Sequence, residues 1–197
     1  MQHQTAISQS ALLVIDAQDS FMAEPRWQRH NNPAFEQNVT RLIEGYRSAG
    51  LPVFFFLDSD DEGPFRTDSP YFKLMDFIKA EPSEPVLPKT TRNCFTSTNL
   101  DERLRQKDVK RVLITGIKTE QCCETTARVA SDMGYEVDFV TEATLTFPIP
   151  HPDREEELSA EDVVNRTEYA LRNRFARIAT VEGVLNELKG AAQACSE

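Results

Sequence analysis

The chain has 197 residues, a length that suits one domain and leaves little room for two. Its formal net charge of −10 argues against a general nucleic-acid binder and against docking on anionic membranes, because both partners attract a basic surface. The stretch MQHQTAISQS is polar, and no segment approaches the ~20 apolar residues of a membrane span. We therefore expect a cytoplasmic protein with four reduced thiols, those of Cys94, Cys122, Cys123 and Cys195.

Short apolar runs alternate with amphipathic segments along the chain. In chain order, the predicted elements are a strand at 11–15, a helix at 33–49, a strand at 52–57, a helix at 99–107, a strand at 111–115, a helix at 120–133, a strand at 136–141, a helix from 159 to about 173, a strand at 176–180 and a helix at 181–189. Apolar runs without polar alternation are typical of strands that are buried on both faces of a parallel sheet. The alternation predicts an α/β fold, a single Rossmann-like three-layer domain with a central parallel sheet.

Two proline-containing stretches interrupt this alternation and are predicted to be long loops. Residues 58–70 are rich in Asp, Gly, Ser and Pro, and residues 147–159 contain three prolines and a cluster of charges. Long loops in a compact domain often have a function, whereas a solvated loop is the simpler interpretation of the second stretch.

Two residues with reactive side chains follow predicted strands. Asp16 ends the first strand and Cys122 lies shortly after the third, and ligands of open α/β sheets bind beyond the carboxyl ends of the strands. If Thr119 is the N-cap of the next helix, Cys122 lies in its first turn, where the helix dipole lowers a thiol pKa and free N–H groups can bind an oxyanion. Taken singly, Asp16 can also cap a turn, Cys122 can be a core residue and Lys89 can be solvated.

Three sequence motifs, in order along the chain, resemble those of the isochorismatase-like cysteine hydrolases, a family that includes nicotinamidases and N-carbamoylsarcosine amidases. The stretch VIDAQDSF contains a D-x-Q-x-x-F pattern that starts at Asp16. The stretch KTTRNCFTSTNLDERLR starts at Lys89, and TGIKTEQCCETTARVASDMGYEV contains a G-x-x-T-x-x-C pattern that ends at Cys122. The resemblance extends from about residue 11 to residue 188, and it implies an isochorismatase-like hydrolase fold for one domain spanning residues 1–197.

The resemblance also implies a role for each of these residues. Cys122 is expected to attack a carbonyl carbon and form a thioester, while Asp16 takes the thiol proton and passes it to the leaving amine. Lys89 is expected to orient Asp16. A cis peptide bond is expected between Ile117 and Lys118, so that the Lys118 and Cys122 amides donate to the developing oxyanion. The implied reaction is hydrolysis of a C–N bond in a small amide, carbamoyl or ureido compound.

Three further residues are predicted to line the substrate pocket. Phe21 and Trp27 follow the first strand, and Arg92 follows Lys89; an aromatic wall and a cation suit a planar or carboxylate-bearing amide. The alternative is that Trp27 packs structurally and Arg92 is solvated. Cys123 occupies a position where the family usually has a small apolar residue, and we expect its thiol to be inert.

We predict no metal and no cofactor. The metal-containing nicotinamidases have Asp-x-His after the second strand, whereas this chain has Asp-Ser-Asp from Asp58 onward. Its histidines lack the spacing of a ligand set; they are His3, His30 and His151. The chain has only seven glycines and no G-x-G-x-x-G pattern, which argues against a flavin or dinucleotide binder.

Other functions remain open at this stage. A vinyl-ether hydrolase of the isochorismatase type needs an acid and no nucleophile, so the retained Cys122 favours acyl transfer. A thiol redox role would need Cys122 and Cys123 to form a strained disulfide between neighbours. A third alternative is a non-catalytic relative that serves as a binding or scaffold subunit. The expected partners are a small-molecule substrate and, by resemblance, further copies of the chain in a dimer or tetramer, with residues 147–159 at the interface.

Overall fold

Six parallel strands form the central sheet of the computed structural model, which describes residues 5–194; His3 and Cys195 lie outside the described residues. The strands of this sheet are Ser10–Ile15 (β1), Val53–Asp58 (β2), Val86–Lys89 (β3), Arg111–Ile117 (β4), Glu136–Leu145 (β5) and Arg177–Ile178 (β8). Their order across the sheet is β3-β2-β1-β4-β5-β8. A separate antiparallel pair consists of Ile149–Pro150 (β6) and Glu157–Leu158 (β7).

Within residues 5–194, six α-helices lie between the strands or follow the last of them. They are Asp19–Met22 (α1), Phe35–Ser48 (α2), Leu100–Gln106 (α3), Glu124–Asp132 (α4), Ala160–Leu171 (α5) and Val181–Ala194 (α6). Ser159 is the N-cap of α5, because its hydroxyl accepts a hydrogen bond from the Asp162 amide at 3.1 Å. Among the described residues, no helix is long and apolar enough to cross a membrane.

Alternating residues of each central strand face two separate apolar layers. In β1, Leu12 and Val14 pack with α2 and α6, whereas Leu13 and Ile15 pack with α3 and α4 on the other face. All six residues of β1 are buried, as are all residues of β2 and β4. The predicted three-layer α/β fold with a central parallel sheet is therefore confirmed. As the continuous apolar runs indicated, the central strands are covered on both faces.

The carboxyl ends of four strands, β1 to β4, lie at the same edge of the sheet. From β1 the chain moves outward to β2 and β3, and then returns to place β4 on the other side of β1. This reversal creates a topological switch point between β1 and β4, the usual ligand position in open α/β sheets. Asp16 follows β1, Asp58 ends β2, Lys89 ends β3, and Cys122 follows β4 by a short turn.

Gly116 allows β1 and β4 to approach closely at this switch point. Its φ is 125°, and a Cβ atom at this position would lie 1.9 Å from the carbonyl oxygen of Ile15. Only glycine fits such a contact, since any side chain would overlap the neighbouring backbone.

Three local features differ from the sequence-based expectation. No strand was predicted at residues 86–89, but these residues form β3, which pairs with β2 and places Lys89 opposite Asp58. The segment 147–159 was predicted to be a loop, but it contains the β6–β7 pair. Thr119 was predicted to be an N-cap, but a single π-helical turn covers Thr119–Cys123, and the Thr119 hydroxyl donates to Thr144 Oγ1 at 2.8 Å.

Candidate active site

Asp16 is held in an unusual backbone conformation at the carboxyl end of β1. Its φ is +51°, in the left-handed region that aspartate adopts more readily than most other residues. Its amide donates to the Phe56 carbonyl of the neighbouring strand at 3.1 Å, and its side chain is fully buried. A buried carboxylate on a strained backbone position is a pattern that proteins retain mainly at functional sites.

Lys89 lies between two carboxylates. Its Nζ is 2.9 Å from Asp16 Oδ2 and 2.9 Å from Asp58 Oδ1, and it donates to the Thr91 carbonyl at 3.1 Å. The lysine is 1% exposed, so its charge is compensated almost entirely by these neighbours. The contact with Asp16 is a buried ion pair, and both the charge of Lys89 and its hydrogen bonding favour the ionised form of this carboxylate.

Cys122 lies in the π turn that connects β4 to α4. Its Sγ is 3.6 Å from Lys89 Nζ, and it comes within 4.8 Å of one carboxylate oxygen each of Asp16 and Asp58. Thr126 fixes the backbone of this turn, because its hydroxyl donates to the Cys122 carbonyl at 2.6 Å and accepts from the Cys94 amide at 3.2 Å. The structure thus brings the three residues of the predicted catalytic set into one buried cluster.

The proton affinities of this cluster follow from burial and mutual charge. Burial raises the pKa of Asp16 from 3.8 to about 6, although the Lys89 ammonium opposes the shift. Burial, and then the Asp16 charge, raise the pKa of the Cys122 thiol above its usual range. Burial alone would lower the pKa of Lys89, but the charges of Asp16 and its other neighbours raise it. Near neutral pH the cluster therefore contains a neutral thiol, an ionised Asp16 and an ammonium.

This charge state corrects the expected effect of the helix terminus on Cys122. A thiolate stabilised by the helix dipole was predicted, but the pKa of the thiol is raised instead. The π turn replaces a regular first turn, and burial next to a carboxylate disfavours a second negative charge. A nucleophilic sulfur here requires that the proton moves to Asp16 as the attack takes place.

The segment between β4 and α4 contains the two amides that are predicted to bind an oxyanion, those of Lys118 and Cys122. The peptide bond between Ile117 and Lys118 is cis. Within residues 5–194, the Lys118 amide has no hydrogen-bond acceptor. Burial, and then the charge of Arg26, lower the pKa of the Lys118 ammonium, while Glu120, Cys122 and Glu24 oppose the shift.

The three predicted pocket residues do not share one surface. Phe21 is 3% exposed and packs against Phe65 and Phe147 in the core, with ring centroids 4.9 and 6.4 Å away. Trp27 lines a cavity of about 300 Å³, together with Phe77 and other residues, but this lining includes no member of the buried cluster. Arg92 pairs with Asp58 through Nη1 at 2.8 Å and extends toward solvent.

The other two described thiols are part of the core. Cys94 and Cys123 are fully buried, and burial raises the pKa of both. Sulfur atoms in such apolar surroundings are unreactive, because the thiolate is the nucleophilic form. Cys123 therefore fits the expectation of an inert neighbour of Cys122.

A metal ion would compete with Lys89 in this cluster. Ligand atoms of Asp16, Asp58 and Cys122 lie within 4.8 Å of one another, as a metal site requires. However, the Lys89 ammonium already contacts both carboxylates at 2.9 Å and supplies the positive charge that they need. His30 Nδ1 accepts a hydrogen bond from the Asn32 amide, so it serves the local turn. The chemistry of these donors thus gives no support to a metal.

Two residues of the site were not predicted from the sequence. Asp58 contributes the second carboxylate on Lys89. Gln18 fixes Asp58, because its side-chain amide accepts from the Asp58 amide at 2.7 Å and donates to the Asp58 carbonyl at 3.1 Å. In the sequence, Gln18 is marked only by its place in the D-x-Q pattern. Asp58 is marked only by its position at the end of a buried strand.

Comparisons with known proteins agree with this geometry. Residues 10–182 match the isochorismatase domain model. The chain is 36% identical over 156 residues to nicotinamidase 3 of Arabidopsis thaliana, which covers 70% of this chain and 74% of the relative. It is 22% identical over 213 residues to the ureidoacrylate amidohydrolase RutB of Variovorax paradoxus, covering 89% of this chain and 79% of the relative.

A solved structure supports the fold independently. The cysteine hydrolase of Pseudomonas syringae superposes with a TM-score of 0.86 at 21% identity, covering 97% of this chain and all of that chain. The family model covers most of the sequence, including β1, β4 and the turn between β4 and α4. This chain belongs to the isochorismatase family of hydrolases.

Proposed function

We propose that this protein is a cysteine-dependent hydrolase that cleaves a C–N bond of a small amide, carbamoyl or ureido compound through a thioester. The main support is the buried cluster in which the Cys122 thiol, the Asp16 carboxylate and the Lys89 ammonium lie within contact distance of one another. Relatives named as a nicotinamidase and a ureidoacrylate amidohydrolase support amides as the substrate class.

In the first half-reaction, Asp16 accepts the Cys122 proton while the sulfur attacks the substrate carbonyl carbon. The pKa of about 6 for Asp16 suits this role, since a general base works best when its pKa is near the working pH. The Lys118 and Cys122 amides donate to the oxyanion of the tetrahedral intermediate. The C–N bond then breaks, Asp16 returns the proton to the leaving nitrogen, and a thioester remains on Cys122.

The second half-reaction restores the thiol. Asp16 removes a proton from water, whose oxygen attacks the thioester carbon. The C–S bond breaks, the proton passes from Asp16 to the sulfur, and the acid product leaves. Lys89 keeps Asp16 in place throughout, and its charge favours the ionised carboxylate whenever the proton is elsewhere.

The cationic side chains near the site support substrates that also bear an acidic group. Lys118 is close enough to Cys122 for their charges to interact, and Arg92 pairs with Asp58 but is exposed. Arg26 acts on Lys118 but pairs with Glu24. A carboxylate on the substrate would pair with Lys118 or with the exposed Arg92. Ureido acids and N-carbamoyl amino acids are therefore the first compounds to test.

Ammonia release from a panel of small amides and ureido acids tests the proposal. Wild type should release ammonia, Cys122→Ala should lose at least about 1,000-fold in rate, and Cys123→Ala should remain active as the matched thiol control. If Cys122→Ala retains the rate of wild type, the nucleophile is wrong. A hydrolysis that needs only Asp16 as an acid, such as vinyl-ether cleavage, would then be the better explanation.

We further propose that the protein forms a homo-oligomer. Ile149 and Leu158 are apolar and exposed on the β6–β7 pair, and Arg29 joins this pair to the body of the protein through Glu157. Sedimentation of wild type should show a dimer or tetramer at micromolar concentration, and Leu158→Asp should shift it toward monomer. A monomeric wild type would contradict this proposal.

A further inference from the structure

Four alternating charges form a continuous row at the carboxyl edge of the sheet. Asp16 contacts Lys89 at 2.9 Å, Lys89 contacts one oxygen of Asp58 at 2.9 Å, and the other oxygen of Asp58 contacts Arg92 at 2.8 Å. The first three side chains are buried, whereas that of Arg92 is 57% exposed. The row therefore connects the proposed general base to a cation at the protein surface.

Asp58 occupies a fixed position in this row. It is 7% exposed, it is paired with Lys89 in the register of β2 and β3, and its backbone is bound on both sides by the Gln18 amide group. The proposed reaction does not use its carboxylate. The Asp58 carboxylate is thus buried and fixed in position, although it takes part in no step of the proposed reaction.

The sharing of one ammonium between two carboxylates has a direct electrostatic consequence. Lys89 stabilises the ionised form of Asp16, but Asp58 competes for the same positive charge and also repels Asp16. Arg92 relieves this competition, because its guanidinium neutralises the opposite oxygen of Asp58. The charge of Asp58 raises the pKa of Asp16, in agreement with this geometry.

We propose that Asp58 is a positioning residue, which shares the Lys89 ammonium with Asp16 and so sets how strongly Asp16 holds a proton, and that Arg92 adjusts this sharing from the surface. The functional meaning of this inference rests on the proposed hydrolase reaction. Two positioning residues would thus act on the catalytic set: Asp58 acts through Lys89, and Arg92 acts through Asp58.

The other ionisable groups around Asp16 are accounted for. Cys122 faces it from the π turn, and the Asp16 charge also acts on the more distant thiols of Cys94 and Cys123. The pKa of each of these thiols is raised, so all three are neutral near neutral pH. Changes in the titration of Asp16 should therefore report the three charged neighbours in the row.

The test measures the titration of the Asp16 carboxyl directly by carbon-13 NMR of aspartate-labelled protein. The Asp16 signal is identified by its absence in Asp16→Asn. Asp58→Asn should lower the titration midpoint by about 2 pH units, the effect of removing a unit charge at about 5 Å with an effective dielectric constant near 20. Arg92→Gln should raise it by about 0.5 unit, since screening weakens an exposed charge.

A double variant and a surface control complete the design. The Asp16 titration midpoint of Asp58→Asn/Arg92→Gln should be close to that of Asp58→Asn alone. Arg92 acts on Asp16 through the Asp58 carboxylate, which both variants lack. Asp61→Asn, an exposed neighbour on the same loop, should leave the midpoint unchanged. Arg92 is exposed, so Arg92→Gln keeps the test valid even if Asp58→Asn does not fold.

Opposite shifts for the two single variants would support the inference. A midpoint that does not move in Arg92→Gln, or that rises in Asp58→Asn, would overturn it. The titration requires no turnover. If the shifts appear but no amide is hydrolysed, the charge sharing stands and the proposed function fails; if hydrolysis occurs without the shifts, the reverse holds.

Discussion

The stability of this protein should depend on pH through Asp16. Burial raises the pKa of Asp16 from 3.8 to about 6, so the folded protein binds this proton more tightly than the unfolded chain does. Between about pH 4 and pH 6 the folded state holds more protons, and the free energy of unfolding therefore falls as the pH rises. A shift of about two pKa units corresponds to about 3 kcal/mol, which is lost by pH 7.

Urea unfolding of wild type and Asp16→Asn across this pH range isolates the contribution of one group. Other carboxylates titrate in both proteins, so the difference between the two free energies of unfolding is the informative quantity. Wild type should lose about 3 kcal/mol relative to Asp16→Asn between pH 4 and pH 7. If the difference stays constant, or moves in favour of wild type as the pH rises, the Lys89 ion pair outweighs burial and the reasoning is refuted.

Three further predictions concern Gly116 of β4, the Cys122 thiol and the pH dependence of catalysis. Gly116→Ala should lower the free energy of unfolding in urea by about 4 kcal/mol or more, because the new Cβ would overlap the Ile15 carbonyl. The control Gly50→Ala, at φ +67° in open space, should lower it by only about 1 kcal/mol. Equal losses in the two variants would contradict the close contact at Gly116. Iodoacetamide should alkylate Cys122 more slowly in Asp16→Asn than in wild type, because the buried neutral thiol then has no base to take its proton. An equal or faster reaction in a peptide map would argue against this role of Asp16. The value of kcat/KM for amide hydrolysis should fall below about pH 6, as Asp16 becomes protonated; a profile that is flat from pH 5 to pH 7 would exclude Asp16 as the base.

Much of the sheet could be predicted from the sequence because its central strands are buried on both faces. Runs such as residues 11–15 and 52–57 are apolar without interruption, and the structure places them in β1 and β2. The strand β3 escaped prediction for a physical reason. It lies at the edge of the sheet, is partly exposed and contains Pro88, which an edge strand tolerates because no hydrogen bond is needed on its outer side.

The cluster around Lys89 was only partly predictable. The family motifs marked Asp16, Lys89 and Cys122, but nothing in their spacing showed that Asp58 would share the ammonium, since this contact depends on the register of β2 and β3. The raised pKa of the Cys122 thiol was likewise hidden. It comes from burial beside Asp16, a tertiary effect that outweighs the helix terminus considered from the sequence.

The same burial explains the chemistry and the cost of the site. Burial withdraws Asp16 from water, and the Lys89 ammonium offsets only part of this loss, so the proton affinity of Asp16 rises toward neutral pH. A more stable arrangement would give this carboxylate further donors and would make it a weaker base. The protein therefore exchanges stability for a base of useful strength.

The thioester on Cys122 is the central claim, and mass spectrometry of the protein during turnover tests it most directly. Wild type is mixed with an ammonia-releasing substrate, quenched in acid within the first turnovers, and analysed intact and by peptide mapping, with Cys122→Ala and Cys123→Ala in parallel. The account predicts an added mass equal to the acyl group on Cys122, present in wild type and Cys123→Ala and absent in Cys122→Ala. Ammonia release by Cys122→Ala at the wild-type rate, or an acyl group found on Cys123, would contradict it.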